Sequence, residues 1–139
     1  WAPDGDSIYF TSDRTGGPQV YRVETYLGAR VERVTDEGGY NALPRVSPDG
    51  AQLAVVHRVQ NNYRIAVVDT ETGLTQVLSN GTLDESPSFA PNGAQIIYAT
   101  QQQGVGVLSS VSTDGRIRRQ IASVAGDVRE PAWSPFPRT

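Results

Sequence analysis

One histidine, His57, stands in a chain of 139 residues that has no cysteine. A histidine acts as a general base only with a nucleophile in reach and an acid to orient it. No Gly-x-Ser-x-Gly elbow is present, and a lone His without Cys gives no metal-ligand spacing. His57 is therefore expected to be structural or surface-lying. The acids Asp4, Asp6, Asp49, Asp84, Glu85 and Asp114 raise the question of calcium, yet no Asp-x-Asp-x-Asp-Gly loop is formed. At Asp4-Gly5 and Asp49-Gly50 the Asp serves the turn itself. Neither a metal nor a cofactor is expected. Arg116, Arg118 and Arg119 are the only basic cluster, and alternation about Ile117 reads as a solvated strand face rather than an anion site. Asn80-Gly81-Thr82 has the form of a glycosylation acceptor and reads as a turn. Gln101-Gln102-Gln103 reads as a hairpin loop.

These residues sit in a chain that repeats itself. Trp1-Ala2-Pro3-Asp4-Gly5, Val46-Ser47-Pro48-Asp49-Gly50, Phe89-Ala90-Pro91-Asn92-Gly93 and Trp133-Ser134-Pro135-Phe136 are one motif, its prolines 45, 43 and 44 residues apart. A period of ~40–50 residues is that of propeller blades of about four short strands. After each of the first three prolines comes an apolar run: Ile8–Ser12, Leu53–His57 and Ile96–Thr100, each read as a buried strand. Gln19–Val23, Arg64–Val68 and Val107–Val111 follow as the next strand out. Glu32–Thr35, Thr75–Ser79 and Arg119–Ala122 form the outermost one.

The motif is a turn in which Pro sets the first corner and Gly takes the positive φ. The apolar residues Trp1, Val46, Phe89 and Trp133 belong to very short strands, the last three preceded by Pro44, Pro87 and Pro131. A proline cannot donate to a sheet, so these strands are edges, beside the propeller axis. The expectation is all-β: a partial β-propeller over 1–139 with three four-stranded blades near 1–43, 44–86 and 87–130. An extra inner strand at 131–135 matches Trp1-Ala2-Pro3 and would lock a ring.

Composition bounds the partners. A net charge of −3 argues against nucleic acid or an anionic membrane surface, and no apolar run is long enough for insertion. Hydrophobic content is 37%, with 14 Gly and 9 Pro, which suits thin cores between sheets. Zero Cys leaves the redox compartment open. Zero Met and a start on Trp1, inside a repeat, read as a piece of a longer protein.

Leu83–Gly93 with Ile97-Tyr98, Val111–Arg116 and Pro131-Ala132-Trp133-Ser134-Pro135 resemble the C-terminal part of the TolB family. Phe10–Arg14, Gly17–Tyr21 and Arg33–Thr35 fit the same family one blade earlier, so the resemblance covers essentially the whole chain. It implies a periplasmic, non-enzymatic protein of the Tol–Pal envelope system, with a six-bladed propeller of which this is half. It also implies a partner, the peptidoglycan-associated lipoprotein Pal, seated over the propeller mouth, and colicins that mimic Pal. In the family the loops entering each inner strand provide contacts. Carried onto this sequence, they place partner contacts at Tyr40, Asn41, Leu43, Leu83, Asp84, Glu85, Ser86, Arg129 and Glu130. Val46 stands where the family has an aromatic, which implies looser packing near that axis.

Two other readings stand beside this one. A half-propeller could be a scaffold whose two copies close a six-bladed ring as a homodimer. It could also be the gating propeller of a prolyl-oligopeptidase-like serine peptidase, its catalytic domain lying outside these residues.

Overall fold

The computed structural model describes residues 1–26, 28–35, 38–102 and 105–123. Within them the chain forms eleven antiparallel strands and no helix, so no helix is long and apolar enough to cross a membrane. The first sheet holds β1 (Ser7–Ser12), β2 (Gln19–Glu24) and β3 (Val31–Arg33), side by side in that order. The second runs β4 (Asn41–Val46), β5 (Gln52–Val59), β6 (Asn62–Asp69) and β7 (Thr75–Val77). The third runs β8 (Glu85–Phe89), β9 (Gln95–Gln102), β10 (Val105–Ser112) and β11 (Arg118–Ser123). Each sheet is a meander, its strands paired in chain order, as expected of propeller blades.

Alternation of side chains through each sheet builds the core between blades. From β5 and β6, Leu53, Val55, Ala66 and Val68 face one way and pack with Val20 of the first blade. Ala54, Val56, Ile65 and Val67 face the other way and pack with Ile96, Tyr98 and Val111 of the third. Leu53, Ile65, Leu78 and Ile96 are completely buried, each worth roughly 1.5–3 kcal/mol of transfer free energy. The second blade is therefore sealed on both faces.

The proline motif makes the turn from inner strand to β5 and β9. Asp49 Oδ1 accepts from Ala51 N at 3.0 Å and from Ser47 Oγ at 2.6 Å, while Gly50 takes φ +77°. Asn92 Oδ1 accepts from Ala94 N at 3.0 Å in the same way. Asp114 repeats the arrangement in the β10–β11 turn, with Arg116 N at 3.0 Å and Ser112 Oγ at 2.6 Å. These carboxylates are engaged in closing turns. That accounts for Asp-Gly without any ligand.

Three expectations need correction. The first sheet has three strands, not four: Trp1 is 73% exposed and lies outside any strand. Residues 2–7 instead close the turn onto β1, with Gly5 N donating to Ala2 O and Ala2 N to Ser7 O. The outer strands β3 and β7 end early. Val34 N and Thr35 N both donate to Val20 O, and Leu78 N and Ser79 N both donate to Ile65 O, which breaks the ladder there. Finally, the inner strands start at Asn41 and Glu85, so the approximate boundaries at 43/44 and 86/87 fall inside β4 and β8. The closing strand expected at 131–135 lies outside the described residues.

Candidate functional site

The candidate site is the end of the molecule opposite the Pro-Asp-Gly turns, where the chain passes from one outer strand to the next inner strand. Both crossings among the described residues carry a similar polar lock. Between the first two blades, Thr35 Oγ1 accepts from Val20 N at 2.9 Å and donates to Gln19 Oε1 at 2.6 Å. Asn41 Nδ2 donates to the same Gln19 oxygen at 2.9 Å. His57 Nδ1 donates to Asn41 Oδ1 at 2.6 Å. Between the second and third blades, Ser79 Oγ accepts from Ile65 N at 2.7 Å and donates to Asp84 Oδ2 at 2.5 Å. Gly81 N donates to that oxygen at 2.9 Å, and Thr100 Oγ1 donates to Asp84 Oδ1. Thr35 corresponds to Ser79, Asn41 to Asp84 and His57 to Thr100. Each set ties an outer strand to the next blade.

The lock decides what the expected partner residues can do. Asn41 is fully buried and Asp84 is 1% exposed, so both hold blades together and neither side chain faces outward in this chain. His57 is buried in the same network, which gives it the structural role expected of it. Leu43 and Leu83, by contrast, are 56% and 43% exposed. Tyr40, Glu85 and Ser86 are half-buried. Tyr40 packs edge-on against Tyr63 with ring centroids 5.2 Å apart, and the Arg58 guanidinium lies over the Tyr40 ring at 5.9 Å. Arg129 and Glu130 lie outside the described residues.

Asn41, Leu43, Glu85 and Ser86 were expected in loops; they belong to β4 and β8. Both strands break register there, between Ala42 and Arg45 and between Glu85 and Ser88. At each break a non-glycine residue takes a left-handed φ of 55°: Leu43 before Pro44, Ser86 before Pro87. A residue before proline is pushed away from helical φ and ψ, and an L side chain at positive φ is strained by about 1–3 kcal/mol. Two equivalent bulges with this strain re-aim Leu43 and Ser86 from the inner strands. Leu43 N is fastened to the neighbouring blade by Thr11 Oγ1 at 3.0 Å.

Sequence reasoning missed a second group on this end. Arg14 stacks over the rings of Phe10 and Tyr21, at 5.5 and 4.8 Å, with Nε bonded to Ser12 Oγ at 3.0 Å. Its position after a strand-end Ser-Asp was the available signal, since Arg58 stands at a corresponding strand end. Along the inner strands a concavity of about 490 Å³ passes Trp1, Arg45, Val46, Ser88 and Phe89. Among the described residues no group of three or more His, Cys, Asp or Glu side chains is placed to hold a metal ion.

Comparison with known proteins follows this geometry. A family model described as "TolB beta propeller domain" matches residues 1–137. The Tol-Pal system protein TolB of Xylella fastidiosa is 50% identical over 112 residues, 79% of this chain and 26% of that protein. That of Xanthomonas oryzae is 52% identical over 111 residues, 78% of this chain and 25% of its own length. The crystal structure of TolB from Acinetobacter baumannii superposes with a TM-score of 0.89 at 47% identity, covering 97% of this chain and 34% of that one. The chain thus spans about a quarter of the length of the curated relatives it matches.

Proposed function

The chain belongs to the TolB β-propeller family, and from that premise we propose that it forms part of a periplasmic propeller that receives Pal over its mouth. The observation that supports this reading is the pair of strained bulges at Leu43 and Ser86. Strain of this kind persists only where surrounding structure holds it, and it gathers at ligand clamps. Here it holds an exposed leucine three residues from Tyr40 of the Arg58–Tyr40–Tyr63 stack, and exposed Leu83 pairs with Tyr63 of that stack. Leucines amid aromatics and arginine suit the centre of a protein contact, with Glu85 on its polar rim. Colicins that imitate Pal would use the same surface. Asn41 and Asp84 act in this reading by positioning the inner strands, not by touching the partner.

The test is a binding measurement with Pal on a complete propeller carrying Glu85→Arg or Glu130→Arg. Each reversal is expected to cost on the order of 1–3 kcal/mol, about 5- to 150-fold in affinity, with the thermal midpoint unchanged. Unaltered affinity in both variants would move the Pal site elsewhere.

A further inference from the structure

The two seams between blades are built from equivalent positions and can be compared row by row. In the seam of the first two blades, the row across the sheet is Val55, Ala66 and Val77, neighbours by strand register. Val55 and Ala66 are buried there against Val20 in a wholly apolar cluster. In the seam of the second and third blades, the same row reads Tyr98, Ser109 and Gln120. Thr75, one step along the outer strand, is matched by Arg118, since Thr75 pairs Val68 as Arg118 pairs Val111. Three apolar positions have become polar and a threonine has become an arginine. An ordinary seam needs none of this, as its sister demonstrates.

The polar row does not close up. It floors a concavity of about 380 Å³ whose opposite wall is Asn80, Gly81 and Asp84 of the loop leaving the second blade. Asp84 already accepts three hydrogen bonds, from Ser79, Gly81 and Thr100. The remaining groups are mostly donors. Arg118 spends its Nε on Leu78 O at 3.0 Å, and its two Nη groups have no partner among the described residues. Arg119 and the amides of Asn80 and Gln120 also line the opening. Burial, and next the Asp84 carboxylate, raise the Tyr98 phenol above its ordinary pKa, so it keeps its proton. Arg118 and Gln120 share the seam face of β11, and the planar fork of Arg118 Nη donors matches a carboxylate.

We propose that this pocket binds a carboxylate group, held by the Arg118 guanidinium and the Tyr98 hydroxyl, with Ser109 hydrogen-bonded to Tyr98 and fixing its position. The carboxylate comes either from a free dicarboxylate or from an acidic side chain of a bound peptide. The site opens beside the crossing loop that also carries Leu83, uses none of the side chains assigned above to the Pal contact, and stands whether or not Pal binds there.

The experiment is an amide-detected NMR titration of the labelled protein. The probes are sodium succinate, a capped tripeptide with a central glutamate, and its glutamine counterpart. The Arg118, Ser109 and Gln120 amides should shift and saturate at about millimolar probe. Saturation with succinate alone identifies a free dicarboxylate, and saturation with the glutamate peptide identifies a side chain; the glutamine peptide should leave them still. Arg118→Gln should weaken binding about tenfold. The combined variant Tyr98→Val, Ser109→Ala, Gln120→Val installs the residues of the sister seam, which already pack, and should abolish binding with other resonances in place. No shift with either carboxylate, equal affinity after Arg118→Gln, or equal shifts with sodium phosphate would each overturn the assignment.

Discussion

Asp84→Ala tests whether the polar locks, rather than the apolar seams alone, hold the blades in register. The carboxylate accepts from Ser79 Oγ, Gly81 N and Thr100 Oγ1, with Ser79 and Thr100 both buried. A hydrogen bond to a charged group is worth roughly 1.5–3 kcal/mol. Three such bonds do not simply add, because removing a buried carboxylate also returns several kcal/mol of desolvation. Ser79 cannot escape by turning, since its oxygen must still accept from Ile65 N at 2.7 Å. Losing one partner of a buried charged set typically costs ~3–5 kcal/mol, and relief at the two hydroxyls puts the expected loss at about 3 kcal/mol. That lowers the thermal midpoint by roughly 10 °C. Asp84→Asn should cost only about 1 kcal/mol, because the amide oxygen can keep Ser79 Oγ and Gly81 N while the Thr100 hydroxyl turns to accept from its NH2. Urea unfolding measures both, and the exchange rate of the Ile65 amide locates the damage at the seam. A loss below about 0.5 kcal/mol for the alanine, or an asparagine as costly as the alanine, would refute the lock.

Gly81→Ala drives a Cβ into the Asp84 carboxylate and should destabilise by roughly 2–3 kcal/mol; Gly5→Ala, with open space at φ +75°, should cost about 1 kcal/mol in the same unfolding assay. The Tyr98 phenol is raised by burial and by Asp84, so its stabilisation is whole below the ordinary tyrosine value and lost as pH rises through the higher folded value. Tyrosinate absorbance should show a late titration, since burial raises Tyr9 as well, and Tyr98→Phe should reduce its amplitude by one tyrosine. Asp49 is lowered first by the Ser47 hydroxyl and then by Ala51 N, so its contribution is present above the unfolded value and lost as pH falls through the lower folded one. Carboxyl NMR should find Asp49 titrating low and moving up in Ser47→Ala. Peptide and ester substrates should show no turnover; activity abolished by His57→Ala would contradict the binding role. Expressed by itself, the 139-residue chain should sediment at micromolar concentration as a dimer closing six blades, and a stable folded monomer there would end that expectation.

The two central strands of each blade were legible because each carries a β-branched, apolar or aromatic run between turn segments, repeated at a nearly fixed interval. Ile96–Thr100 inside β9 and Arg64–Val68 inside β6 are examples. The locks were not legible, for a physical reason. Asn41 and Asp84 are polar residues beside turn segments, and local pattern assigns such residues to solvent. Their partners lie 16 to 22 residues away for Asn41, and 16 away for Thr100 on Asp84, beyond any local periodicity. Only laying the repeats over one another brings Thr35 with Ser79 and Asn41 with Asp84. The bulges at Leu43 and Ser86 were hidden differently. A residue before proline reads as extended, and nothing in its neighbours announces a left-handed φ.

A repeat chain carries its own controls, and this is what separates fold from site here. Where the repeats keep one chemistry, as in the turns at Asp49 and Asn92 or the hydroxyls of Thr35 and Ser79, the same hydrogen bonds recur and the residue is explained by the blade. The interesting positions are those where equivalent residues differ although the backbone does not. Leu43 and Ser86 share φ 55° and a register break, yet one is a large exposed apolar group and the other a small hydroxyl. The blade requires the bulge but not the leucine. Tyr98, Ser109 and Gln120 likewise occupy a row that Val55, Ala66 and Val77 fill without loss to the seam. Burying the Tyr98 and Ser109 hydroxyls where Val55 and Ala66 already suffice gains nothing for folding. Such departures therefore mark the positions that the blade itself does not explain: one on the inner strands, one in the seam between the second and third blades.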